Sequence, residues 1–147
     1  MAATLQEILL GQDTQPKVIS DCFTLIDQEV SDMSGVSGTA VKIAYKTVNA
    51  FMPGHVRHMI EEMLPDMIGK LEPYWADFNE SGGSDFGDYL AKRGDEVAEA
   101  LLSVTDALAA ASRRPVIIKA YGSVRGGAVR HIVASLPQVG EMVMKYA

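Results

Sequence analysis

The sequence predicts an all-α protein, and three features carry this prediction. Apolar residues recur at spacings of three and four, the period of one buried helix face, and the clearest run joins Ile19, Cys22, Phe23, Ile26, Val30 and Met33. Capping patterns and first-turn prolines mark helix starts, as at Thr4 with Glu7 and at Pro16. No stretch shows the two-residue alternation that is typical of a half-buried strand.

The order of these signals predicts about eight to ten helices. The first ends at Gly11, and the second runs from Pro16 to Gly35, a residue type that often ends helices. Later helices are expected to begin at a capping or first-turn residue: Ser37, Pro53, Pro65, Pro73, Ser84, Gly94, Pro115 and Pro137. Pro73 is equally compatible with a kink inside a helix. The β-branched run 115–118 precedes helix-type spacing, so it is predicted to be helical.

Three short motifs occur twice, in the same order, and suggest an internal duplication. Residues 44–48, AYKTV, resemble residues 120–124, AYGSV; V-R-H recurs at 56–58 and 129–131; and L-P recurs at 64–65 and 136–137. The loop Ser81-Gly82-Gly83 falls between the copies, and Pro53-Gly54 and Gly126-Gly127 supply helix breakers at matching places. We expect one domain, 1–147, with halves 3–80 and 84–147 about a pseudo-twofold axis. Chance similarity between amphipathic helices is the alternative.

Composition favours a single cytoplasmic domain. A chain of 147 residues is long enough to bury a hydrophobic core without disulfides or structural metal ions. Cys22 is the single cysteine, which excludes an intrachain disulfide and fits a reducing compartment. The N-terminal residues lack the pattern of a signal peptide, and no run approaches the ~18 apolar residues that a membrane span needs.

Charge is unevenly distributed along the chain. The formal net charge is −6, with residues 113–147 contributing +5 and residues 1–112 contributing −11. Such asymmetry is compatible with nucleic-acid binding. We favour packing of the basic third beside the acidic remainder, because an acidic domain is repelled by phosphate backbones at long range.

The repeated V-R-H motif supplies the main candidate site. If the halves are related by a twofold axis, Arg57 and His58 are the symmetry mates of Arg130 and His131. Near the axis they would form a cationic pocket for a phosphate or carboxylate, which the planar guanidinium recognises well. Alternatively, these residues are the solvated flanks of two helices.

Three aromatic residues join this set as candidate ligand contacts. Tyr45 and Tyr121 are the matched tyrosines of the two halves, and Trp75 lies in an aromatic segment that either lines a pocket or anchors the core. His55, His58, Glu61 and Glu62 share a helix face, but no zinc-binding spacing accompanies them, so we predict no metal site. No catalytic motif is present, and we predict no catalytic residues and no cofactor.

Several segments resemble a known family. They are E-I-L-L near the N-terminus, G-V-S-G-T-A-V-K-I-A-Y-K, L-P-D-M-I-G-K-L-E-P-Y-W, Y-L-A-K-R-G and A-L-L-S-V-T-D. Together they make the chain similar, from Leu5 to about Tyr146, to small uncharacterised proteins of actinobacteria and related bacteria that form a domain of unknown function. The resemblance implies a bacterial, cytoplasmic, stand-alone domain, and no activity.

From these observations we expect a non-enzymatic helical module that binds a protein partner or associates with itself as a homo-oligomer. The alternative is a protein that binds a small anionic ligand through the paired Arg and His residues of the two halves. Nucleic acid is not a favoured partner, and no membrane span is expected.

Overall fold

The computed structural model describes residues 3–147, apart from the side chain of Ser37, and every regular element in this range is a helix. The helices are α1 (Leu5–Leu9), α2 (Gln15–Asp32), α3 (Gly35–Phe51), α4 (His55–Glu80), α5 (Phe86–Ala91), α6 (Gly94–Ala111) and α7 (Pro115–Tyr146). The predicted all-α class is confirmed. Among the described residues, no helix combines the length and the apolar character that crossing a bilayer requires.

Residues 3–147 form seven helices rather than the predicted eight to ten, because three prolines lie inside helices. Pro65 and Pro73 lie within α4, and Pro137 lies within α7. An interior proline removes one backbone hydrogen bond and costs about 3 kcal/mol. The carbonyls that lose a donor belong to Glu61 and Gly69, which are exposed, and to Val133, which is half-buried. The buried faces of α4 and α7 continue past each proline, and their packing outweighs this cost.

Several predicted helix starts are confirmed. Thr4 and Glu7 form the predicted capping box at α1, where Thr4 Oγ1 accepts a hydrogen bond from the Glu7 N–H at 3.2 Å. Pro16 occupies the first turn of α2, and α6 and α7 begin at Gly94 and Pro115 as predicted. At these helix starts the local sequence signals agree with the observed structure.

Other helix ends differ from the prediction by a few residues. Helix α2 ends at Asp32, and Gly35, with φ of 79°, begins α3 instead of ending α2. Ser34, not Ser37, therefore precedes α3. Asp85 rather than Ser84 caps α5, because its carboxylate accepts the Asp88 N–H at 3.0 Å.

Helix α4 runs through the hydrophobic core. Its buried residues recur at spacings of three and four: Ile60, Leu64, Ile68, Leu71, Trp75 and Phe78. Near its C-terminal end, the Trp75 and Phe78 rings pack against Phe86 at centroid distances of 5.0 and 5.2 Å. Aromatic contacts of this kind add to the stability gained from area burial. They fix α5 against α4.

Helices α5 and α7 approach closely enough for their backbones to touch. Both Gly87 of α5 and Gly140 of α7 are buried. A Cβ on Gly140 would overlap the Gly87 backbone and lie 2.8 Å from the Phe86 carbonyl carbon, and a Cβ on Gly87 would lie 2.6 Å from the Pro137 oxygen. Only glycine fits this crossing, because the obstructing atoms belong to backbone and cannot rotate away.

Four of the five tyrosines link one helix to another through a hydrogen bond to a carboxylate. The pairs are Tyr45 with Asp27, Tyr89 with Asp77, Tyr121 with Asp106, and Tyr146 with Asp21. Burial and the nearby Glu96 raise the pKa of the fifth, Tyr74. Burial and the bond to Asp77 raise the pKa of Tyr89 to about 12, so its hydroxyl remains a donor at neutral pH. Arg125 and Lys145 further neutralise Asp106 and Asp21, at 2.9 and 3.1 Å.

These pairs predict acid-sensitive stability. The Arg125 and Tyr121 hydrogen bonds lower the pKa of Asp106, and the Tyr146 and Lys145 bonds lower that of Asp21. A lowered folded-state pKa gives stability that is present above the unfolded pKa of about 4 and is lost as pH falls through the folded value. Wild type should therefore lose unfolding free energy as the pH falls from about 5 through the lowered folded-state pKa values of these two aspartates.

The D21N/D106N double variant should show a smaller loss over the same range in urea titrations followed by circular dichroism. A D13N/D66N control alters two exposed aspartates and should titrate like wild type. If the unfolding free energy of D21N/D106N fell with pH as much as that of wild type, Asp21 and Asp106 would not be the source of the acid sensitivity.

The two predicted halves are only partly alike in the order and the lengths of their helices. A short helix precedes an 18-residue helix in each half, namely α1 with α2 and α5 with α6. The first half then has two helices, separated at Pro53-Gly54, whereas α7 continues through Gly126-Gly127 as one helix of 32 residues. The prediction of a break at Gly126-Gly127 is wrong, because glycine weakens a helix by only about 1 kcal/mol and α7 is held by its neighbours. The duplication itself remains a prediction.

Candidate functional site

A pocket with almost wholly apolar walls lies between α2, α4 and α7. Its volume is about 310 Å³, at the lower end of the range of about 300 to 1,000 Å³ that is usual for ligand pockets. The walls come from α2 (Val18, Cys22, Leu25, Ile26, Glu29, Val30), α4 (Ile60, Met63, Leu64, Met67, Ile68, Leu71) and α7 (His131, Ile132, Ser135, Val139, Met142, Val143), with Leu9, Leu101 and Met33, the residue that follows α2, beside them. We call this the apolar pocket.

The apolar stripe predicted on α2 supplies one wall, and it is only partly covered. Val30 is buried, whereas Cys22, Ile26 and Met33 are half-buried. Met67 on α4 and Met142 on α7 are half-buried as well. Apolar surface left in contact with water is unfavourable, by roughly 25 cal/mol for each Å². The pocket therefore favours an occupant that covers these side chains.

Sulfur-containing side chains are concentrated in the apolar pocket. Met33, Met63, Met67 and Met142 line it, and Cys22 Sγ lies 3.9 Å from Met142 Sδ. Methionine is flexible and polarizable, so it adapts to ligands of irregular shape. The eight methionines of the sequence were the available signal for this site.

Cys22 is poorly suited to act as a nucleophile. Burial, with a smaller contribution from Asp21, raises the pKa of its thiol to about 11. The thiolate is the reactive form, so a raised pKa makes the side chain inert at neutral pH.

Three polar side chains interrupt the apolar wall. Glu29 lies on α2, and His131 and Ser135 lie four residues apart on one face of α7. Ser135 Oγ also donates to the Ile132 carbonyl at 2.9 Å. A few polar groups in an apolar wall are typical of sites that orient a ligand.

A second cavity, of about 350 Å³, lies where α4 and α7 begin and α6 ends. His55 and His58 reach it from α4, and Arg113 and Arg114 reach it from the link between α6 and α7. Among the described residues of its wall, Glu62 is the acidic one, and its carboxylate lies 3.0 Å from His58 Nε2. We call this the cationic cavity.

The structure distributes the predicted Arg and His residues over different surroundings. His131 lines the apolar pocket, and His58 lines the cationic cavity. Arg57 is exposed, and its guanidinium donates to Ser20 Oγ on α2 at 2.9 Å. Arg130 is also exposed, and it is not among the described residues that line either cavity.

The three aromatic residues predicted as ligand contacts also lie in different parts of the structure. Tyr121 lines the cationic cavity, where its hydroxyl lies 2.7 Å from Thr105 Oγ1. Tyr45 joins α3 to α2, with its hydroxyl 3.2 Å from Asp27. Trp75 is 6% exposed, and its indole N–H donates to the Ala3 carbonyl at 2.8 Å. Trp75 therefore contributes to the core, in line with the second of its two predicted roles.

Metal ligands do not assemble in the described part of the chain. No group of three or more histidine, cysteine, aspartate or glutamate side chains within residues 3–147 has a geometry that would hold an ion. His55 and His58 face each other at a ring-centroid distance of 6.4 Å, and Glu62 pairs with His58.

These observations define the class of the protein, which is an all-helical protein with an apolar pocket. The model of DUF6918, a family of unknown function, matches residues 5–147, and the chain belongs to this family. The resemblance seen in the sequence is confirmed to that extent. Comparison with curated proteins and with solved structures gave no match.

Proposed function

We propose that the protein binds a small, largely apolar molecule in the apolar pocket. The observation that carries this proposal is the pocket itself, a volume of about 310 Å³ whose wall has three polar side chains among aliphatic residues, methionines and one cysteine. A bacterial, cytoplasmic setting belongs to the same proposal, as the single cysteine and the family resemblance favour it.

Water is a poor occupant of such a pocket. A buried water molecule needs two to four polar partners, and the apolar stretches of the wall offer none. An apolar ligand releases that water and covers Cys22, Met67 and Met142. Burial of apolar area on binding is favourable at roughly 25 cal/mol for each Å², before the entropy cost of association is subtracted.

The polar residues indicate a ligand with one hydrogen-bonding end. His131 and Ser135 share a face of α7, and Glu29 lies on the opposing wall. A hydroxyl group can both donate and accept there, whereas a carboxylate can only accept and would share the pocket with the like-charged Glu29 carboxylate. We therefore expect an alcohol to bind more tightly than the carboxylic acid of equal chain length.

Binding is tested by protection of Cys22. As the single cysteine, it reports on the pocket without mutation. Alkylation should be slow at neutral pH, because the pKa of the thiol is raised to about 11, and decanol should slow it further by at least about tenfold at saturation. Decanoic acid should protect less than decanol.

The control is urea-unfolded protein, which should react rapidly with and without decanol. Unchanged alkylation of the folded protein in the presence of both ligands would contradict the proposal. Equal protection by decanol and decanoic acid would contradict only the assigned role of the polar residues.

Self-association is a second candidate function, and one surface favours it. Val36, Ile43 and Phe51 of α3 are 92%, 62% and 73% exposed. Their spacings of seven and eight residues place them along one helix face. An exposed apolar stripe of this kind is typical of an interface. A second copy of the chain is the proposed occupant, with the two α3 helices facing each other across a twofold axis.

The I43Q/F51Q variant should shift a dimer of wild type to the monomer mass of 15.9 kDa in analytical ultracentrifugation. The K42Q/K46Q variant changes two other exposed positions of α3 and should remain dimeric. A monomeric wild type at the highest attainable concentration would exclude this function.

The anion-binding alternative, with Arg57, His58, Arg130 and His131 in one site, has less support. His58 and His131 line different cavities, and Arg57 bonds to Ser20. Anion binding is better supported at the cationic cavity.

A further inference from the structure

The cationic cavity concentrates positive charge in a chain whose net charge is −6. Arg113 and Arg114 are adjacent on its rim, and His55 and His58 line the same space. We infer that this cavity binds the anionic group of a small organic molecule, either a carboxylate or a phosphate monoester. This inference is independent of ligand binding in the apolar pocket.

The arrangement of the arginines supports anion binding. Guanidinium groups donate paired hydrogen bonds to planar carboxylates and to phosphates, and such charge-assisted bonds are roughly twice as strong as neutral ones. Among the described residues, the hydrogen-bond partner of the Arg114 side chain is Met52 Sδ, a weak acceptor 3.8 Å from Nη1, so the guanidinium can still donate to an anion. Two helices begin at this cavity and one ends there, so the helix dipoles add a net positive contribution.

The apolar part of the wall indicates an organic anion rather than an inorganic one. Met59, Leu108 and Ile117 line the cavity beside the charged groups. An aryl or alkyl group attached to the anion would cover these side chains, whereas inorganic phosphate would leave them in water. We therefore expect phenyl phosphate or benzoate to bind more tightly than inorganic phosphate.

The pKa of His55 can report on anion binding in the cationic cavity. Burial, Arg114 and His58 together lower the pKa of His55, while Glu62 opposes them. Charged and titratable groups face this cavity from α4 (His55, His58, Glu62), the α6–α7 link (Arg113, Arg114) and α7 (Tyr121), and Tyr121 contacts Asp106 of α6. A bound anion stabilises the imidazolium, so it should raise the pKa of His55.

The test is an NMR titration of the folded protein with phenyl phosphate, benzoate and inorganic phosphate at constant ionic strength. The His55 ring resonance gives both the dissociation constant and the pKa. We expect saturable binding, a higher pKa of His55 in the bound state, and affinity weakened by at least about tenfold in an R113Q/R114Q variant, since each lost bond is charge-assisted. The relative affinities of phenyl phosphate and benzoate identify which anion the cavity prefers.

The matched control is K46Q/K119Q, which removes two exposed positive charges from α3 and α7 outside this cavity. It should bind like wild type. Equal weakening in both double variants would mean that binding reflects net charge, and absence of saturation with all three anions would likewise overturn the inference. Alkylation of Cys22, which lines the other pocket, should not respond to these anions.

Discussion

Replacing Gly140 with alanine should lower the free energy of unfolding by about 2 to 4 kcal/mol, because overpacking of this kind commonly costs 1 to 3 and here the obstruction is backbone. The added methyl group would overlap Gly87 and lie 2.8 Å from the Phe86 carbonyl carbon. Relief requires α5 to move away from α7. That movement would loosen Phe86, which is fully buried between Trp75 and Phe78.

The control lies on the same helix. A Cβ on Gly126 meets no atom within 4 Å beyond its chain neighbours and the adjacent backbone of its own helix, so G126A should be neutral or should stabilise the protein by up to about 1 kcal/mol. Urea unfolding followed by circular dichroism and by Trp75 fluorescence measures both variants. Equal stability of G140A and G126A would show that α5 and α7 do not cross at Gly87 and Gly140.

Replacing Ser135 with phenylalanine should strongly weaken binding in the apolar pocket. Ser135 is half-buried on the pocket wall, and its hydroxyl donates to the Ile132 carbonyl of its own helix at 2.9 Å. A phenyl ring at this position would occupy much of the available volume. We expect the affinity for decanol, or for a naphthylamine dye that brightens in apolar surroundings, to fall by at least about tenfold, or 1.4 kcal/mol.

Ser123→Phe is the matched control for Ser135→Phe. Ser123 lies on the same helix, bonds to the Lys119 carbonyl at 2.8 Å, and is exposed. S123F should bind the dye like wild type. Circular dichroism spectra establish that both variants are folded. Undiminished binding by S135F, or an equal loss in S123F, would place the dye elsewhere on the protein.

The sequence predicted the fold class and many helix ends, because both depend on local pattern. The capping box of Thr4 and Glu7 and the first-turn positions of Pro16 and Pro115 need no tertiary information. Pro65 and Pro137 were misplaced for the opposite reason. Their preference for a helix start is weaker than the packing of the long apolar faces on which they lie.

The sites were less predictable, because they depend on which helices become neighbours. The V-R-H motifs suggested that Arg57 and Arg130 share a pocket, yet Arg57 bonds to Ser20 of α2. Arg113 and Arg114 were noted only as part of a basic segment, since their proximity to His55 follows from the placement of α4 beside α7. The same holds for Cys22 and Met142, which are 120 residues apart in sequence.

The most direct test of the central claim is a crystal structure of the protein grown with a bromine-labelled long-chain alcohol. Anomalous scattering locates the bromine without reference to the protein model. We predict a peak in the apolar pocket, within van der Waals contact of Met67 or Met142, and the hydroxyl end near His131 and Ser135. A pocket closed by its own side chains, with no bromine inside it, would contradict the proposed function.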